Sequence, residues 1–337
     1  MRERWRDLCR IVDGFGGTRV VVAGDLVLDR FWYGHVQRVS REAPVPIVRL
    51  IQTRFLPGCA ANTVWNLSAL GASPLPVGVV GEDPEGAELL RLFRERGISI
   101  EGITRVPGWV TPTKTRVLAG TLHGPRQQMV RVDSGEVNAF SPGLVRRIRF
   151  ALERALAGAG AKAMILSDYG YGLVQAAGVA DFLGAVPVSA LDSRYALGAF
   201  RGLTTATPNE EEFEETIGRR VGDDQQLLER EGAALRERLG LKALLVTRGA
   251  KGMSLFEEGQ KPLHFPVVGS DQVVDVTGAG DTVISSYVLS LCAGAAFAEA
   301  AAVANAAGGI VVQKHGTATT DPQELKRTLE EWGEGRL

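Results

Sequence analysis

Cysteine is scarce in this sequence. Cys9, Cys59 and Cys292 lie far apart, are odd in number and form no C-x-x-C spacing. That pattern argues against a disulfide framework and a zinc knuckle, and fits a reducing, cytoplasmic compartment. An excess of either charge is also missing: 38 Lys and Arg against 39 Asp and Glu leave a formal net charge of -1. No global field would gather nucleic acid or an anionic membrane, and neither is expected as a partner. Residues 1–7 hold no apolar run or small-residue cleavage site, so export is not expected. The most apolar stretch, 283–312, is interrupted by Glu299, Asn305 and several glycines and serines, and reads as buried helices rather than a membrane span. Internal repeats and low-complexity linkers are absent, apart from alanine richness over 293–307 that suits close helix packing.

What is present is enough for a large core: 337 residues, 45% hydrophobic, with 41 glycines for tight turns. Short apolar, β-branched runs at 19–25, 163–168, 187–192 and 243–247 each end on a polar residue and read as buried parallel strands. Helical patterns at 86–96, 142–157 and 224–239 lie between them, which predicts an α/β fold with a doubly wound, mainly parallel sheet flanked by helices. Ligands in such sheets bind outside the strand carboxyl ends, so Asp25, Asp168, Asp192 and Thr247 should converge on one rim. Two stretches with period-two patterning and no following helix, at about 31–56 and 111–133, predict a small antiparallel β-sheet lid, the alternative being an ordinary edge meander.

The densest chemical signal is Asp275-Val276-Thr277-Gly278-Ala279-Gly280-Asp281, which runs into the apolar helical stretch 282–289. Glycines at a helix N-terminus expose backbone N–H groups backed by the helix dipole, which suits a phosphate or the charge developing during its transfer. Asp281 in that crevice can take the proton of an attacking hydroxyl. The run is neither a Walker A loop nor G-x-G-x-x-G. Read alone, such a run is more often a capped helix in a glycine turn.

The same run resembles the signature of the ribokinase (PfkB-type) carbohydrate kinases, and other segments agree in order along the chain. The resemblance implies an ATP-dependent sugar kinase with Asp281 as general base and the N–H groups of Gly278, Ala279, Gly280 and Asp281 around the transferring phosphoryl group. Thr207-Pro208-Asn209-Glu210-Glu211-Glu212 resembles the N-x-x-E element, which implies that Asn209 and Glu212 hold magnesium through water, with Glu210 and Glu211 beside the nucleotide. Thr247, Arg248, Gly249 and Gly252 fall in a segment similar to the nucleotide loop. Asn305 and Gly308, with Lys314-His315-Gly316-Thr317, fall in segments similar to those around the purine. Asp275 and Thr277 are candidates for a monovalent cation such as potassium. Gly24-Asp25-Leu26-Val27-Leu28-Asp29 and Gly58-Cys59-Ala60-Ala61-Asn62 resemble sugar-gripping segments, with Asp25, Asp29, Gly58 and Asn62 as contacts; the family more often has Gly-Gly where this chain has Gly58-Cys59.

One branch is similar nearly end to end: the kinase portion of the bifunctional heptose-phosphate kinase and nucleotidyltransferase. The segments 29–34, 41–46, Lys114-Thr115-Arg116, Gln127-Gln128 with Arg131 and Asp133, and Ser167-Asp168-Tyr169-Gly170 carry that likeness. It implies phosphorylation of the anomeric hydroxyl of D-glycero-β-D-manno-heptose 7-phosphate, a dimer through the lid, and no nucleotidyltransferase part within these residues. An anionic sugar calls for fixed cations, and Lys114, Arg116, Arg131 and Arg194 are the candidates, with Asp168 and Asp192 beside them. Tyr171 and Ser193 depart from the branch, which keeps two alternatives open: another sugar or sugar phosphate (ketodeoxygluconate, ribose, fructose phosphate), or a sugar-sensing protein on the same fold without catalysis.

Overall fold

The computed structural model describes residues 4–120, 126–136, 139–157, 160–269 and 274–334. The chain ends 1–3 and 335–337, and residues 121–125 of the second lid stretch, lie outside these. The strands are β1 (Arg19–Gly24), β2 (Leu26–Val39), β3 (Pro46–Cys59), β4 (Ser73–Gly81), β5 (Ile103–Val106), β6 (Thr113–Gly120), β7 (Gln127–Ser134), β8 (Ala163–Asp168), β9 (Val188–Ser193), β10 (Thr205–Ala206), β11 (Ala243–Thr247), β12 (Met253–Glu257) and β13 (Leu263–Phe265). The helices are α1 (Arg4–Asp13), α2 (Ala60–Ala69), α3 (Pro84–Glu95), α4 (Pro142–Ala157), α5 (Leu173–Ala176), α6 (Glu210–Ile217), α7 (Gln225–Leu239), α8 (Ala279–Cys292), α9 (Phe297–Val311) and α10 (Pro322–Gly333).

Among the described residues one nine-stranded sheet runs in the order β13-β12-β11-β10-β9-β8-β1-β4-β5. It is parallel from β11 to β5 and antiparallel at the β11-β12-β13 edge. In β1, Val20 to Ala23 are fully buried. Successive strand side chains point to opposite faces, so Val20 and Val22 join the core that also holds α1, α2, α8 and α9, whereas Val21 and Ala23 join the one that also holds α4 and α7. Helices thus cover both faces, which is why this strand reads as a continuous apolar run rather than an alternating one.

β4 was not expected, because Pro74 and Pro76 lack the N–H that a central strand donates. It forms because β1 pairs along residues 73–77 on one edge while β5 pairs only with 78–81, past both prolines. The second sheet, β3-β2-β6-β7, is formed by the two stretches expected to make a lid, and it is not wholly antiparallel: two antiparallel hairpins are joined through a parallel β2/β6 pair. Its first hairpin, 26–59, begins earlier and ends later than the expected 31–56, while the second begins at 113 and ends at 134 against the expected 111–133. β2 starts at Leu26, one residue past β1, and β3 runs without a loop into α2.

Candidate active site

The glycine run folds as a turn into α8. Gly278 takes φ 79° and caps the helix. A Cβ there would also fall 2.6 Å from Asn62 Nδ2, so both backbone conformation and space require glycine. The Ala279 N–H donates back to the Val276 carbonyl at 3.2 Å. The next N–H groups, of Gly280 and Asp281, belong to the first helical turn, where backbone donors find no carbonyl within the helix. An added Cβ on Gly280 meets nothing within 4 Å, and this residue borders a cavity of about 370 Å³ between the lid and the carboxyl ends of the main sheet.

Asp281 lines that cavity and is nearly fully buried. Asn62 Nδ2 donates to Oδ2 at 2.7 Å, while Thr63 Oγ1 and the Tyr169 hydroxyl donate to Oδ1 at 2.9 and 3.0 Å. Burial pushes the carboxyl up, the three hydrogen bonds pull it down, and the nearby Asp29 charge pushes it up again, leaving it raised to about 6. Two of these donors come from the first turn of α2, and the same helix continues the link to α8 through Thr282 Oγ1, which donates to Asn66 Oδ1 at 2.7 Å. Asp192 also lines the cavity, its Oδ2 3.3 Å from the Tyr169 oxygen; burial and the charge of Asp281 hold its carboxyl well above the ordinary range.

On the opposite side Asn209 and Glu212 form a reciprocal capping box at the start of α6: Glu212 N donates to Asn209 Oδ1 and Asn209 N to Glu212 Oε2, both at 2.9 Å. The box uses one oxygen of each side chain. Thr247 bridges to Asn209 at the end of β11, and Asn209, Glu211, Glu212 and Thr247 all line the cavity. So do Thr207 and Thr317, whose buried hydroxyls have no partner among the described residues. Buried hydroxyls are normally satisfied, so these two fit a polar ligand such as a phosphate chain.

Other residues of the sequence-based set lie behind this surface. Glu210 is paired with Arg248 at 2.9 Å, and Arg248 also donates to the Gly222 carbonyl. Gly249 and Gly252 shape the turn between β11 and β12. Asn305 donates to the Pro266 carbonyl at 2.6 Å, and Gly308 lets α9 approach Val283. Asp275 accepts from Thr277 N and Gly316 N at 2.9 and 3.0 Å; burial works against its charge, but these bonds hold the carboxyl below its usual value. Thr277 borders the cavity.

At the lid end Lys114, Arg116, Arg131 and Arg194 border the same cavity. Lys114 and Arg116 share one face of β6. Arg116 donates to Asp29 Oδ1 at 2.7 Å, the aspartate buried and the arginine mostly so, whereas Arg131 pairs with Asp133 in an exposed setting. Lys114 Nζ lies 3.3 Å from Cys59 Sγ. Cys59 is, among the described residues, the one non-glycine with a positive φ, 54°, a conformation costing about 1–3 kcal/mol that persists only where surroundings fix it. Gly58 keeps β3 clear of the Asp29 carboxylate, which an added Cβ would meet at 2.9 Å. Asp25 and Asp168 are engaged elsewhere. Asp25 accepts from the N–H groups of Tyr169, Tyr171 and Leu173, and Asp168 from Gly170 N, Gln175 and Ser193 Oγ, so both hold the loop after β8 in place.

A model of the pfkB family of carbohydrate kinases matches residues 18–324. The chain belongs to that family. It is therefore a carbohydrate kinase, a phosphotransferase with an alcohol group as acceptor. The bifunctional protein HldE of Alkalilimnicola ehrlichii is 42% identical over 326 residues, covering 94% of this chain, and the chain spans 64% of that relative's length. Two solved structures share the fold: Arabidopsis thaliana ribokinase complexed with ribose and ATP (TM-score 0.69, 20% identity, 93% of this chain and 99% of that one) and Escherichia coli phosphofructokinase-2 in complex with potassium (TM-score 0.73, 15% identity, 94% and 99%). Among the described residues no helix is long and apolar enough to cross a membrane.

Within the pfkB frame, two partners of Asp281 escaped sequence reasoning. Thr63 and Tyr169 lie 218 and 112 residues from it, in segments that were visible only as a helix start and as a branch-like tetrapeptide. Asn62 was expected to grip sugar, but its amide nitrogen holds the carboxylate of Asp281. Tyr171 and Ser193, the two departures, lie off the cavity lining; Ser193 Oγ donates to Asp168 at 2.8 Å.

Proposed function

We propose that this kinase transfers the γ-phosphoryl group of ATP to the anomeric O1 of D-glycero-β-D-manno-heptose 7-phosphate, giving the 1,7-bisphosphate. The observation that carries this reading is one cavity with a buried, triply hydrogen-bonded Asp281 between unpartnered threonine hydroxyls and a set of basic side chains. The similarity to HldE proteins supports the heptose branch.

In this mechanism Asp281 takes the proton of the sugar hydroxyl as its oxygen bonds to the γ-phosphorus and the bond to the ADP oxygen breaks. The first-turn N–H groups of α8 stabilise charge on the transferring group. Thr207 and Thr317 bind phosphate oxygens, and Asn209 and Glu212 would hold magnesium through water. Magnesium, when bound, neutralises phosphate charge. Lys114, Arg116, Arg131 and Arg194 bind the sugar's own phosphate. Asp275 and Thr277 are the residues for a potassium ion. The fold acts as one kinase domain in the cytoplasm, and the lid excludes water from the site. Two copies pair through the lid, where Leu50, Ile51, Val130 and Val132 are more than half exposed; sedimentation would give the mass of two chains.

Asp281→Asn is expected to bind ATP normally and to lose turnover by about 10²–10⁴-fold; near-normal turnover would overturn the base assignment. ADP release across a panel of sugars tests the substrate. Preference for an unphosphorylated sugar would overturn the heptose 7-phosphate reading.

A further inference from the structure

Tyr169 is the one Asp281 partner that also reaches a second carboxylate. Its hydroxyl lies 3.0 Å from Asp281 Oδ1 and 3.3 Å from Asp192 Oδ2. A phenol has a single proton to donate, and the shorter contact directs it to Asp281. An ionised carboxylate offers about four lone-pair positions. Thr63 and Tyr169 take both on Oδ1, and Asn62 takes one on Oδ2. One position remains, and it is on Oδ2.

We propose that Tyr169 is a positioning residue that makes Oδ2 of Asp281 the atom receiving the sugar's proton, by filling Oδ1 and holding the carboxylate ionised. This rests on Asp281 being the base. Tyr169 is itself placed from behind and above. Its backbone N–H donates to Asp25 at 2.9 Å, and Lys114 Nζ lies 5.5 Å from the centre of its ring. The charged and titratable groups acting on this pair are Asp29 from β2, Cys59 at the end of β3, Lys114 from β6 and Asp192 from β9. Among the titratable side chains of the described residues, Tyr169 alone donates a hydrogen bond to Asp281.

The test is Tyr169→Phe, which keeps the ring and removes the proton. Loss of one hydrogen bond that favours the ionised form should move the acid limb of kcat/KM upward by about one pH unit. The plateau kcat should fall by about tenfold, while the calorimetric Kd for ATP stays within about twofold. 3-Fluorotyrosine installed at position 169, a stronger donor of unchanged shape, should move the same limb downward, and it serves if the phenylalanine variant does not fold. An acid limb unmoved by either change overturns the proposal. Turnover surviving in Asp281→Asn would instead overturn the base assignment, whereas an inactive Asp281→Asn beside a wild-type-like Tyr169→Phe would overturn the role of Tyr169 alone.

Discussion

The two ends of the cavity are built from different kinds of structure. The base end is a joint between two buried helices. Asp281 and Thr282 on α8 meet Asn62, Thr63 and Asn66 on α2 through hydrogen bonds of 2.7–2.9 Å, all side chain to side chain. The lid end is a thin sheet. β7 is exposed along its whole length, and two cations of this sheet, Arg116 and Arg131, are each held by one ion pair. In the proposed reading, the groups that perform chemistry are set in packed helices, while Lys114, Arg116 and Arg131, which bind the sugar's phosphate, sit on the second sheet. Burial separates the two further: at the base end it raises a carboxyl to about 6, whereas in the lid it hides one pair, Asp29 with Arg116, and leaves Arg131 with Asp133 in water.

That contrast can be broken from the base end with the largest effect. Gly278→Ala would place a methyl 2.6 Å from Asn62 Nδ2 at a φ of 79°. Turnover should fall by about 10²-fold or more through displacement of Asn62 from Asp281, since small misplacements near reacting groups cost about that much; steady-state kinetics beside a thermal melt would show whether the loss exceeds the change in stability. At the lid the same kind of test divides by burial. Arg116→Met strands a buried Asp29 and should cost about 3–5 kcal/mol in denaturant unfolding, whereas Arg131→Gln should change stability by less than about 1 kcal/mol and instead raise KM for the sugar phosphate. Equal destabilisation by both would erase the distinction between the two ion pairs.

The smallest effect is on pH. A base must be ionised to accept a proton, and Asp281 is raised to about 6, so kcat/KM should fall about tenfold per unit below that point and stay flat above it. The linked stability term has the opposite sense. A carboxyl whose folded value lies above its unfolded value contributes stability below the unfolded value, and loses it as pH rises through about 6. Chemical denaturation at pH 5 and pH 8 beside the pH–rate profile would measure both.

Much of this organisation was legible in the sequence. Strands buried on both faces announce themselves as unbroken β-branched runs, and β1, β8, β9 and β11 fell where such runs end on polar residues. Asp281 stood out because glycines and a carboxylate before an apolar helix make a local pattern. β4 escaped because prolines hide a strand whose second edge is only partly paired. Thr63 and Tyr169 escaped because no local pattern marks a contact made across more than 100 residues. Asp25 and Asp168 looked like ligands for the reason that carboxylates at strand ends usually do. Here backbone N–H groups of the loop after β8 occupy Asp25, and backbone and side-chain donors of that region occupy Asp168.

The absence of any loop between β3 and α2 has a mechanical meaning. Cys59 ends a strand of the lid, and Ala60 begins the helix whose Asn62 and Thr63 hold the base. A tilt of the lid hairpin would therefore reach the carboxylate through one backbone joint, and that joint is Cys59 with its positive φ. Hairpin and carboxylate would then form the two arms of a single lever, with its fulcrum at a residue that has little freedom to turn.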